Sequence, residues 1–180
     1  MNRRLVFITH ADVAIDPDVA VTAWPLSARV RIRHEIFASS DHVRNVKTVV
    51  SSAERKAVEG ARILSQKLEV AHHVVAALHE NDRSATGYLP KAEFEATANA
   101  FFAQPDVSVR GWESARSAQN RIVKACRDIV ALWSGDIAVV AHGGVGALLY
   151  CALQGVEISR AWDQPGAAGG NFLEIAVPDW

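Results

Sequence analysis

Two histidines and a carboxylate, His10, His142 and Glu80, each come at the end of a short apolar run: Thr9-His10, Leu78-His79-Glu80 and Ala141-His142-Gly143-Gly144. Another run ends in Ser51-Ser52 and leads into Glu54-Arg55-Lys56, while Asn81-Asp82-Arg83 continues from Glu80. If these runs are strands of one open sheet, their carboxyl ends converge on the edge where α/β proteins bind ligands. Histidines, a carboxylate and several cations on one edge suit phosphoryl chemistry. A neutral imidazole can attack phosphorus and carry the group covalently, splitting one hard displacement into two. Phosphoryl oxygens need positive charge and hydrogen-bond donors, because positioning and electrostatics supply most of the catalysis. A histidine followed by glycines that leave N–H groups accessible at a helix start suits that anion. A carboxyl group must then protonate the leaving oxygen and later take a proton from water.

The elements that would place these residues are legible. Apolar β-rich runs occur at Leu5–Ile8, Thr48–Val50, Val74–Leu78, Ile137–Ala141 and Phe172–Val177. The first, second and fourth are continuous rather than alternating, which predicts strands buried on both faces of a parallel sheet, while Val74–Leu78 is the weaker candidate. Helical stripes lie between them: Val58, Ala61, Leu64 and Leu68, with Ser52 as the expected N-cap, then Ile122, Cys126, Ile129 and Trp133, and then Val145, Leu148, Leu149 and Ala152, stopped by Gly155. Pro90 suits the first turn of a helix running to about Phe102. The stretch Leu26–Phe37 is open between helix and strand, because Arg29, Arg31 and Arg33 alternate with Val30 and Ile32. Strands alternating with helices predict a three-layer α/β/α fold around a mostly parallel sheet. Gly166–Gly170 reads as a loop beside the last strand.

Composition closes several doors. Length favours one domain over residues 1–180, and 49% hydrophobic with 22% charged residues is ordinary globular usage. Nineteen Lys and Arg against twenty Asp and Glu leave a net charge of -1, which lacks the footprint of a nucleic-acid binder. Cys126 and Cys151 show no CxxC spacing, so a reducing compartment is expected. No stretch approaches the ~20 apolar residues of a membrane span, and the run behind Arg3-Arg4 is too short for a signal peptide. A cytoplasmic protein without membrane contact is the expectation. No metal-ligand cluster stands out, since His72 and His73 are adjacent and would point to opposite faces of a strand. His34, His42 and His79 read as packing or surface residues, and the three alternating arginines as a solvated face. The glycines after His142 complete neither a dinucleotide fingerprint nor a P-loop. The five tryptophans read as packing, with Trp180 a candidate partner contact.

The order of these motifs resembles the histidine phosphatase superfamily, with its phosphoglycerate-mutase-like fold, from Leu5 to about Phe172. The resemblance rests on strand-x-His10, Ser51-Ser52-x-x-x-Lys56-Ala57, Leu78-x-Glu80 and Val140-Ala141-His142-Gly143-Gly144. Pro25-Leu26-Ser27 is similar to the family's opening of its first helix, and Gly111-Trp112-Glu113-Ser114 to a later G-E-S with one residue intruding. It implies His10 as phosphoryl acceptor, His142 as partner histidine, Glu80 as proton donor and no cofactor or metal. Thr9 and Lys56 would take positions that the family gives to phosphate-binding arginines, and Thr9-His10-Ala11 replaces Arg-His-Gly. The family's asparagine after the nucleophile falls near Asp16. Either Arg83 fills the cationic gap, beside Gly143 at the helix start, or the site is catalytically weak. Three functions follow: a phosphomonoester or phosphohistidine hydrolase, a phospho-ligand binding or regulatory module on the same fold, and a phosphoglycerate-mutase-type phosphotransferase. The mutases resemble longer chains. The expected partner is a small phosphorylated substrate or a phosphoprotein, with Asn81–Pro90 and Gly155–Gly170 as walls of the site. An exposed apolar edge would support a homodimer.

Overall fold

Burial decides which runs become strands. Leu5 to Ile8, Val49 and Val50, and Ile137 to Ala141 are almost wholly removed from water, as strands covered on both faces must be. The computed structural model describes residues 3–10, 12–162 and 171–177. Ala11, the Gly166–Gly170 run and Trp180 lie outside the described residues. The elements in chain order are β1 (Arg4–Thr9), α1 (Ala28–Ala38), β2 (Val46–Ser51), α2 (Arg55–Leu68), β3 (Ala71–Val74), α3 (Lys91–Ala103), α4 (Ala115–Leu132), β4 (Asp136–Ala141), α5 (Gly143–Gln154) and β5 (Phe172–Ala176). The sheet runs β3-β2-β4-β1-β5. All neighbours are parallel except β5, which runs antiparallel to β1.

Alternate residues of the central strands feed two cores. Leu5, Phe7, Val50, Ile137 and Val139 face α3, α4 and α5, while Val6, Ile8, Val49, Ala138 and Val140 face α1 and α2. The result is the three-layer α/β/α arrangement expected, with β1 and β4 paired at the centre. Their carboxyl ends, Thr9 and Ala141, are directly opposite each other, so His10 and His142 leave the sheet side by side.

Two expectations need correction and one open reading is settled. The third strand is Ala71–Val74, not Val74–Leu78. Pairing with β2 ends at Ser51–Val74, after which Ala76–Leu78 forms a 3-10 turn that sends Leu78 into the core. Leu26–Phe37 resolves as a helix, because Val30, His34 and Ala38 are buried at four-residue spacing while Arg29, Arg31 and Arg33 stay exposed. Ser52 does not cap α2; the N-cap is Glu54, without a side-chain bond, and the Ser52 hydroxyl serves His142 instead.

Candidate active site

The β4–α5 turn is built around close approach. Glu80 accepts from the amides of Gly144 and Val145, both at 3.0 Å, and from its neighbour Asn81 at 3.1 Å. A Cβ on Gly144 would sit 2.8 Å from the Glu80 carboxylate, so any side chain there would displace it. Glu80 therefore occupies the positive end of α5, where carboxylates are favoured. Burial pushes its pKa up, but Arg83, then His142, and the bond from Asn81 outweigh that and hold it below the usual range. Glu80 rests ionised.

Arg83 is fixed on three sides. Its Nε donates to Asn81 Oδ1 at 2.9 Å, its terminal nitrogen lies 3.4 Å from Glu80, and its guanidinium stands 5.0 Å from the ring centres of both Phe94 and Trp112. The loop carrying Glu80 and Arg83 is tied to α4 by Arg121, which donates to the carbonyls of Ala77 and His79 at 2.8 Å and pairs with Glu113 at 2.6 Å. Glu113 and the N-cap Ser114 belong to the stretch that resembles the family's G-E-S.

His142 is fully buried. Its ring meets that of His10 edge to face, with centroids 5.1 Å apart. Nε2 lies 2.7 Å from the Ser52 hydroxyl and 3.3 Å from Glu54, while Nδ1 has no hydrogen-bond partner among the described residues. Burial lowers its pKa to about 4, against the pull of Glu54 and Glu80. The resting ring is neutral.

A cavity of about 320 Å³ opens over this group, lined by Thr9, His10, Glu80, Asn81, Arg83, Gly143, Gly144, Arg160 and Asn171, with Phe94, Phe101, Phe102 and Trp112 as an apolar wall. His10, Glu80, Thr9, Arg83 and Gly143 are thus brought to one space, with His142 beneath it. Thr9 is buried, and its hydroxyl is engaged with the backbone of Asn171. Lys56 is not in the lining: it is 4% exposed, its ammonium donating to Glu54 at 2.5 Å and to the carbonyl of Val21 at 2.9 Å. Asp16 is exposed and engages Asp18 and Trp24.

Several residues of this site have partners that the sequence does not reveal. Glu54 joins Lys56, His142 and the amide of Glu80 (3.0 Å), yet its partner histidine is far away in the chain. Arg160 lines the cavity while pairing with Glu95 at 2.6 Å. The Asn81 amide nitrogen is buried without a partner among the described residues. His34, read as incidental, packs over Gly60 of α2, and burial, followed by the charge on His10, lowers its pKa to about 4. His72 bonds Ser51 at 2.8 Å, His73 packs on Trp133, His79 bonds its neighbour's carbonyl, and His42 pairs with Glu174. Among the described residues no group of three His, Cys, Asp or Glu is placed to hold a metal ion, and no helix is long and apolar enough to cross a membrane.

Residues 20–172 match the family model of the histidine phosphatase superfamily, branch 1. The chain belongs to that superfamily. The match includes the Ser51-Ser52, Glu80 and His142 motifs and begins after His10. Solved structures agree on the fold. Native mycobacterial glucosyl-3-phosphoglycerate phosphatase superposes with a TM-score of 0.80 at 23% identity, over 96% of this chain and 89% of that one. The same enzyme with inorganic phosphate gives 0.76 at 25% identity, over 96% and 88%. Phosphoserine phosphatase from Entamoeba histolytica, in complex with 3-phosphoglyceric acid, gives 0.72 at 13%, over 96% and 89%. A search of curated protein sequences finds no significant match.

Proposed function

We propose that this chain is a phosphohydrolase that needs no metal and transfers the phosphoryl group of a monoester or a phosphohistidine to His10. The observation that carries this reading is the His10–His142 ring pair under a cavity that Glu80 and Arg83 also line. His10 attacks phosphorus, and Arg83 and the helix start at Gly143 receive the oxygens. Glu80 rests ionised, but a phosphoryl dianion beside it raises its pKa by like-charge repulsion. Substrate binding thereby favours the protonated form that the leaving oxygen requires, and the carboxylate left behind takes a proton from the water that cleaves the phosphohistidine. The relatives act on or bind phosphorylated small acids, and the apolar wall beside Arg83 has room for such a ligand's carbon frame. Buried, free Cys126 and Cys151 suit the reducing cytoplasm.

A generic aryl phosphate at mildly acidic pH, with and without EDTA, tests this. Hydrolysis should survive EDTA, disappear in His10→Ala, and leave one added phosphoryl on His10 when quenched without acid. Activity that persists in His10→Ala, or that EDTA abolishes, removes the mechanism. A second reading is favoured by the pairing of Lys56 with Glu54 and by the uncharged Thr9, which leave the site poorer in cations than the family pattern. It makes the chain a phospho-ligand binding module, and vanadate binding without a His10 adduct would support it.

A further inference from the structure

Glu54 stands at the N-cap of α2, 7% exposed, with a carboxylate that burial pushes up but that His142, charged once pH falls below about 4, and Lys56 bring down to about 2. An ionised carboxylate only accepts hydrogen bonds. Its Oε1 lies 3.3 Å from Nε2 of His142. A bare nitrogen lone pair facing that oxygen is repelled by it, whereas an Nε2–H is attracted. Ser52 Oγ, 2.7 Å from the same nitrogen, accommodates either arrangement, because a hydroxyl both donates and accepts. The other nitrogen, Nδ1, is buried without a partner among the described residues, in a ring that meets His10 edge to face. Lys56 holds the carboxylate in place from the far side, at 2.5 Å through Oε2.

We propose that Glu54 is a positioning residue for His142: it keeps the ring proton on Nε2, leaves Nδ1 as a bare acceptor beside His10, and supports the imidazolium once a phosphoryl group binds. The inference rests on the phosphohydrolase reading for its use, though not for its geometry. When a monoanionic phosphoryl group arrives, its P–O–H bond breaks and an Nδ1–H bond forms. The phosphoryl group gains a negative charge and the ring a positive one, held between Glu54 and the new anion. A buried aspartate fixes the tautomer of a catalytic histidine in serine hydrolases by the same logic. The charged and titratable groups facing His142 are Glu54 and Lys56 from the start of α2, Glu80 and Arg83 from the segment after β3, and His10 from the end of β1. Glu54 and Glu80 favour the imidazolium; Lys56 and Arg83 oppose it.

Long-range proton–nitrogen spectra of the full chain, labelled with 15N-histidine, read the tautomer without turnover. The wild type should show His142 protonated on Nε2, and Glu54→Gln should move the proton toward Nδ1. In the vanadate complex, the pH at which His142 titrates should be lower in Glu54→Gln than in the wild type. The rate of His10 phosphorylation should fall at least roughly 10–100-fold, the range found for partners that orient metal-bound histidines, with KM little changed. Because Glu54→Gln leaves Lys56 buried and unpaired, Glu54→Gln/Lys56→Met provides a folded check and should show the same tautomer change. A wild type protonated on Nδ1, or a folded variant with the wild-type tautomer and titration, overturns the proposal. A wild type with the Nε2 proton but no turnover and no His10 adduct sinks the phosphohydrolase reading and leaves the tautomer assignment standing.

Discussion

Replacing Arg83 with alanine tests how this site meets an anion. The side chain loses its bond to Asn81, its pairing with Glu80 and its place between Phe94 and Trp112. If the guanidinium also holds a phosphoryl oxygen, a charge-assisted bond of about 1.5–3 kcal/mol goes with it. That corresponds to roughly 10–150-fold weaker vanadate binding, at about 1.4 kcal/mol per tenfold. A second effect adds to the first. Arg83 is the leading cause that keeps Glu80 ionised, so its removal leaves an uncompensated carboxylate facing the ligand at pH 7. The loss should therefore be larger at pH 7 than at pH 5, where Glu80 is more readily protonated in the variant. Arg83→Lys keeps the charge without the planar fork and should fall between wild type and alanine. Titration calorimetry with vanadate at both pH values, on samples matched by circular dichroism, gives the comparison. Wild-type affinity in Arg83→Ala at pH 7 would refute the assignment of Arg83 as the phosphate-side cation.

Three further outcomes concern the frame of the site. Gly60→Ala should gain about 1 kcal/mol of helix propensity but place a Cβ 2.8 Å from the His34 ring, an overpacking that costs about 1–3 kcal/mol. Urea unfolding should thus show it neutral or destabilising in the wild type and stabilising in His34→Ala; equal effects in both backgrounds would contradict the packing. Acid should weaken the fold in two stages. His34 and His142 are depressed from 6.5 to about 4, so the unfolded chain binds more protons below pH 6.5 and up to ~3 kcal/mol per histidine is lost as pH falls through 4. The contribution of Glu54, lowered from 4.5 to about 2, is lost over that lower range. A urea midpoint unchanged between pH 7 and pH 4 would contradict both histidine assignments. Cys126, whose thiol burial pushes up to about 12, should resist thiol reagents in the native state and react at the rate of unfolding; fast native labelling would contradict its burial.

Much of the fold was legible because buried parallel strands announce themselves: the runs around Phe7, Val50 and Val139 are apolar throughout, and Gly155, at φ 62°, ends α5 as expected. β3 was misplaced for the opposite reason. It is an edge strand with His72 and His73 in it, so its pairing leaves little apolar trace, whereas Ala76–Leu78 is apolar because Leu78 enters the core from a turn. His10, Glu80, His142 and Arg83 could be found because each follows a strand or its motif, and topology brings strand ends together. Arg160 could not, and Glu54, though it follows Ser51-Ser52 at a strand end, shows no role there. What makes them part of the site is a charge partner that only folding supplies, Glu54 beside His142 and Arg160 beside Glu95. Lys56 shows the same limit from the other direction, since its place in a motif says nothing of the carboxylate two residues earlier that holds its ammonium.

The four ionised groups nearest His142, Glu54 and Glu80 with Lys56 and Arg83, sum to zero. An oxyanion entering their midst finds no surplus positive charge among them, and low-dielectric surroundings penalise an uncompensated anion. A monoanionic ligand brings the His142 proton in its own P–O–H bond, whereas a ligand that arrives as the dianion must draw that proton from the buffer. Capture of the dianion is then an exchange with the buffer, and its heat carries the buffer's own ionisation enthalpy. The same ligand should appear more or less exothermic in buffers matched in pH but different in ionisation enthalpy, and the slope of that dependence counts the protons taken up.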